Sequence, residues 1–215
     1  MSPTQPPVSG RTAADGDAEV RGQPTSGGTT CRRHVLSGIA GLGATALAGC
    51  LDGTGTATPA PPGAVTISDE ATCDVCGMVI SKQPGRTAQV SYADTQPNGH
   101  SNPARFDSTW EAFKFDFERD DWTRQSFYVT DYSSVEYQIT TDQGQKLISR
   151  HVGADTFADA TGVTFVAASS VVGTMGEDLL GFSSRDDAES FRADHGGDVV
   201  TFDEVTPTLI SQLGK

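Results

Sequence analysis

The first 63 of the 215 residues cannot supply a globular core, so whatever this chain folds into must be built from residues 64–215. Residues 1–30 are rich in Pro, Gly, Ser and Thr and show no apolar periodicity, a composition expected to lack a fixed fold. Residues 50–63, dominated by Gly, Thr, Ala and Pro, read as an extended tether. What remains is the length of one domain around one core.

Between these stretches lies a processing segment. Cys31-Arg32-Arg33-His34-Val35-Leu36 leads into an uncharged, Gly- and Ala-diluted run that closes on Leu47-Ala48-Gly49-Cys50. Paired arginines before a short apolar stretch resemble a twin-arginine export signal. The closing tetrapeptide resembles a lipoprotein box, which makes Cys50 the lipidated first residue of the mature chain. A membrane-spanning helix is the weaker reading, because residues 35–49 fall short of the ~20 apolar residues a bilayer requires. The expected organisation is therefore an export segment over 1–49, a lipid-anchored tether over 50–63 and a folded body over 64–215.

Charge narrows the partners. The formal net charge is −13. Residues 1–49 carry four arginines and three acidic residues, so their removal leaves −14. Such acidity argues against nucleic acid as a partner, since its phosphates demand Lys and Arg. The scarcity of lysine beside abundant aspartate resembles a halophile's surface, where salt screens the self-repulsion.

Along the body, alternation and turn residues mark the elements. Residues 86–93 alternate between Pro84-Gly85 and Pro97-Asn98-Gly99 and predict a strand. Asp107-Ser108 can cap a helix on which Trp110, Ala112, Phe113 and Phe117 recur at helical spacing. Residues 126–131 predict a buried strand and 135–140 the next one. Residues 163–168 and 179–182 predict further strands. Ser183-Ser184 opens a helix carrying Ala188, Phe191 and Ala193, which Gly196-Gly197 stops. A strand over 199–202 and a short helix from Pro207 complete the chain. Phe106-Asp107-Ser108-x-x-x-Ala112 parallels Phe182-Ser183-Ser184-x-x-x-Ala188, which suggests a duplicated strand-helix-strand unit. The expected fold class is α+β, two related halves sharing a core, with mostly antiparallel sheet.

Chemistry concentrates in Cys73-Asp74-Val75-Cys76-Gly77-Met78. With Cys31 and Cys50 in the processing segment, Cys73 and Cys76 are the only thiols of the body, and Met78 and Met175 its only methionines. Two thiols and a thioether within six residues suit a soft, thiophilic ion such as Cu(I). Met175, between Gly173 and Gly176, could close the site from the second half. A Cys-x-x-Cys pair also fits a redox dithiol or half of a zinc site. Thioredoxin-like chemistry wants a helix beginning at the second cysteine, which the pattern does not predict. Structural zinc wants four closed ligands, and no second cysteine pair exists, although histidines could complete the set. His100, His151 and His195 read more simply as solvated or helix-end residues. No phosphate-cradling loop, Gly-x-Ser-x-Gly elbow or His-Glu-x-x-His is present, so no enzyme is expected.

Taken in order, Cys76-Gly77-Met78, Phe106-Asp107-Ser108, Tyr128-Val129-Thr130-Asp131-Tyr132, Phe165-Val166-x-x-Ser169, Thr174-Met175-Gly176, Phe182-Ser183-Ser184 and Gly196-Gly197-Asp198-Val199-Val200 resemble the NosL family. These are lipoproteins accessory to nitrous oxide reductase. The resemblance implies a Cu(I) chaperone on the outer face of the cytoplasmic membrane, serving maturation of that enzyme's copper centres. It also implies a two-half topology shared with the organomercurial-lyase type. The family's copper-binding Cys and Met map onto Cys76 and Met78, and its Met-Gly element onto Met175. Cys73 departs from the single cysteine common there, and it or Met175 is the expected further ligand. A cell-surface thiol-disulfide reductase using Cys73 and Cys76, and a surface module with structural zinc, are the alternatives.

Overall fold

Alternating segments bounded by turn residues produce two halves with one wiring. The computed structural model describes residues 60–214, so the expected export segment, Cys50 and most of the tether lie outside the described residues. In the first half β1 (Ala88–Tyr92) is the middle strand. It is flanked by β2 (Ala104–Phe106) and β3 (Arg124–Thr130), both antiparallel to it. Helix α1 (Thr109–Phe117) carries the chain from one flanking strand to the other. A hairpin, β4 (Ile139–Asp142) and β5 (Gln145–Ile148), follows, and β6 (Phe157–Asp159) extends the first sheet beside β3.

The second half repeats the plan. Here β7 (Thr164–Ala167) is the middle strand, and β8 (Val171–Val172) leaves to pair in parallel with β5. Strand β9 (Leu179–Phe182), helix α2 (Arg185–His195) and strand β10 (Asp198–Thr201) then run as β2, α1 and β3 do, with β9 and β10 antiparallel to β7 on either side. The caps match as well. Ser108 accepts from the Glu111 N–H and Ser184 from the Asp187 N–H, each satisfying a donor that a helix start leaves open. Helix α2 ends on Gly196, at φ 73°, whose N–H bonds back to the Arg192 carbonyl. Helix α3 (Pro207–Gln212) starts on Pro207 behind a Thr206 cap. The α+β class with two related, mostly antiparallel halves is thus observed.

The helices differ in burial. Phe113 of α1 stacks against Phe127 of β3 at 4.7 Å and Phe165 of β7 at 5.6 Å, so both sheets cover that helix. Glu111, Ala112, Phe113 and Phe115 are accordingly all buried. Helix α2 covers a single face of the second sheet, burying only Ala188 and Phe191. Ala193, expected on its apolar face, is exposed.

The expected strand over 135–140 begins instead at Ile139. Asp131 explains the displacement, since its Oδ1 accepts the N–H groups of Ser133 and Ser183 and turns the chain toward the second half. Val135 then packs beside the second core cluster rather than in a sheet.

Candidate metal centre

An antiparallel bridge between Thr72 and Val79 closes the cysteine segment into a tight turn. The Cys73 N–H donates to the Met78 carbonyl at 2.8 Å, and the Gly77 N–H donates to the Cys73 carbonyl at 3.0 Å. Gly77 sits at φ 73°, a backbone conformation that strongly favours glycine. Asp74 fastens this turn to the open edge of β2. Its N–H donates to the Arg105 carbonyl at 2.9 Å, and its Oδ2 accepts the Arg105 N–H at 2.7 Å. Asn98 and His100 bind the same carboxylate from the other side, each through Oδ1 at 2.8 Å.

Docking on β2 brings the turn to the start of α1, and there the site assembles. Ligand atoms of Cys73, Cys76, Asp107 and Glu111 all lie within 4.8 Å of one another. The Cys73 thiol donates to Glu111 Oε2 at 3.0 Å, and the Cys76 thiol reaches both Asp107 oxygens at 3.7 Å. Cys73 is 3 % exposed and both carboxylates 1 %, whereas Cys76 is half-buried at the entrance. Burial pushes the Cys73 thiol far above its ordinary value, helped by its hydrogen bond to Glu111 and the negative charge of Asp107. Cys76 is raised more gently, by burial and against the pull of the Met78 backbone N–H. Glu111 is pushed up to about 8, first by burial and then by its Asp107 neighbour. Both thiols are free of a disulfide.

Two bonds of the length thiolates make to metals, about 2.3 Å, bridge a separation of this order, so the donor set fits a shared ion. Cys73 and Cys76, singled out from sequence, do come together. Met78 lies half-buried at the end of the same turn. Met175 is 40 % exposed at the tip of a second turn, closed by the paired Gly173 and Gly176 backbones. Among the described residues no histidine joins the cluster. His100 serves Asp74, and His151 approaches the Ser149 hydroxyl at 3.2 Å.

Asp107 and Glu111 were not foreseen as site residues. Ser108-x-x-Glu111 has the form of a capping box, in which the glutamate returns to the backbone N–H of the cap. Here Ser108 makes its half of that exchange, while the glutamate takes the thiol.

Comparisons with known proteins place the chain among relatives. The sequence model of the family described as NosL matches residues 64–210. The copper-binding lipoprotein NosL of Stutzerimonas stutzeri is 28 % identical over 151 residues, covering 70 % of this chain and 70 % of that protein. The crystal structure of the copper chaperone NosL from Shewanella denitrificans superposes with a TM-score of 0.53 at 28 % identity, over 70 % of this chain and 99 % of that one. Matched over most of its folded body, in sequence and in fold, this chain belongs to the NosL family.

Proposed function

We propose that this protein is a metallochaperone that carries one Cu(I) as cargo. Cys76 and Met78 are the leading donors, a thiolate and a thioether, and Cys73 and Met175 are the candidates that complete a low-coordinate set. The observation that carries this reading is the convergence of the two thiols at a partly open turn. Soft sulfur donors hold Cu(I) in low coordination and disfavour Cu(II). Cys76, at the entrance, is where a partner's ligand would displace the ion. Two similar proteins are named for copper, one as a copper-binding lipoprotein and the other as a copper chaperone. By family, the receiver is nitrous oxide reductase or its maturation complex, and Cys50 would carry the lipid that holds the chain at the outer face of the membrane. Among the described residues no helix is long and apolar enough to cross a membrane. No catalytic step is assigned to the site.

The two carboxylates favour a second reading, since Zn2+ accepts oxygen donors beside sulfur whereas Cu(I) prefers sulfur. A dithiol reductase is disfavoured. Its nucleophile needs a lowered thiol pKa, and burial moves both of these the other way.

An anaerobic Cu(I) titration of the reduced protein against a chromogenic chelator, repeated with excess Zn2+, separates the readings. The expected result is one tight site that zinc does not empty. Cys76→Ser should weaken it by at least about a hundredfold, beyond what loss of an outer-shell partner costs. Unchanged affinity in Cys76→Ser would overturn the assignment, and displacement by zinc would favour the structural reading.

A further inference from the structure

We propose that the buried pair Arg86–Asp178 is a clasp that seats the Met175 turn on the first turn of α1. Both residues are then positioning residues for cargo binding, an inference that rests on the copper reading above. Asp178 ends the loop that carries Met175, and it is 2 % exposed. Its Oδ2 accepts the Ser108 hydroxyl at 3.0 Å, and its Oδ1 accepts the Trp110 N–H at 2.7 Å. Those partners follow Asp107 and precede Glu111, so one carboxylate from the second half holds the helical turn that presents the acidic side of the metal centre.

Arg86 secures the other end. It reaches out of the first half, 1 % exposed, and its Nη2 donates to the Val171 carbonyl in β8 at 2.6 Å. Its Nη1 lies 3.9 Å from Asp178 Oδ2. Gly173, at the base of the Met175 turn, rests directly on the pair. A Cβ there would sit 2.7 Å from Asp178 Oδ2 and 2.8 Å from Arg86 Nη1. The base of the turn, the ion pair and the start of α1 therefore form one connected unit.

Stability alone accounts poorly for this arrangement. A buried ion pair returns little net stability once both ions are desolvated, and this one leaves Arg86 Nε and Nη1 without hydrogen-bond partners among the described residues. Its consequence for placement is direct, because any shift of Asp178 moves the Met175 turn and the Asp107–Glu111 segment relative to each other.

The test is a double-mutant cycle on Cu(I) affinity, with near-UV circular dichroism of each protein as the check on fold. Asp178→Asn keeps the shape and an acceptor for Trp110 but removes the charge facing Arg86. Gly173→Ala wedges the pair apart with every charge retained, and carries the test if Asp178→Asn does not fold. Each is expected to keep the native spectrum and to weaken Cu(I) binding by about tenfold. Adding Met175→Leu to either should weaken it by less than about threefold more, because the misplaced thioether has already been lost. Full additivity, or native affinity in both clasp variants, overturns the clasp while leaving the copper site standing. Failure of the unmodified protein to bind Cu(I) overturns the copper reading and the clasp with it.

Discussion

Cys73 and Cys76 share one turn but not one environment. The Cys73 thiol is enclosed and hydrogen-bonded to Glu111, whereas Cys76 stands half-open beside Asp107. Burial raises both, Cys73 by far the more. Alkylation proceeds through the thiolate, so a raised pKa keeps the reactive form scarce until the solution is strongly alkaline. In the metal-free, reduced protein at pH 8, iodoacetamide is expected to modify Cys76 first and Cys73 at least about tenfold more slowly. Raising the pH toward 10 should accelerate Cys76 well before Cys73. Peptide mass mapping over time measures both rates, and equal rates would contradict the enclosed position of Cys73. The pairing of these thiols was legible in their spacing. Their unequal exposure was not, because Glu111 covers Cys73 from 38 residues away.

At the scale of elements, the two N-caps look alike in sequence and differ in what surrounds them. Ser184 bonds the Asp187 N–H on an exposed helix start, and removing its hydroxyl is expected to cost about 1 kcal/mol. Ser108 does the same for Glu111 while also donating to the buried Asp178 carboxylate. Ser108→Ala should therefore cost more, about 2 kcal/mol, because it also strips a donor from a desolvated anion. Urea denaturation of the two reduced, metal-free variants gives the comparison, and equal losses would argue against the buried link. Capping serines and the residues between them were readable locally. Strands of two or three residues, such as β8 and β2, were not, since so short a segment has no periodicity.

At the scale of the molecule, the two halves meet where Asp131 and Gly181 form a parallel bridge, with the Tyr132 N–H donating to the Gly181 carbonyl at 2.9 Å. A Cβ on Gly181 would come within 3.0 Å of Val129 Cγ2 and 3.1 Å of the Thr130 carbonyl. Gly181→Val is expected to destabilise the fold by about 1–3 kcal/mol through overpacking at this seam. Phe165 and Leu179 of the second half share the main cluster with Phe113 and Phe127 of the first, so the loss should be felt throughout. Far-UV circular dichroism and tryptophan fluorescence, the latter reporting on Trp110 and Trp122, should give coincident urea transitions. Separate transitions would show two independently folding halves.

Two segments of this chain show where local information stops. Thr201-x-x-Glu204 and Ser108-x-x-Glu111 carry the same capping pattern. In the first, exposed, Glu204 returns to the Thr201 N–H at 2.8 Å, as the pattern alone dictates. In the second the helix is enclosed by two sheets and a docked turn, and Glu111 turns instead to a thiol. Sequence by itself determined the longer strands and helices, the serine caps of α1 and α2, and the grouping of Cys73, Cys76 and Met78 along the chain, because these depend on neighbours a few residues apart. Only the tertiary structure decided that Asp107 and Glu111 join the thiols and that Asp178 ties the Met175 turn to α1. Those choices depend on which desolvated donor lies nearest each buried carboxylate, and that is set by how the two halves pack.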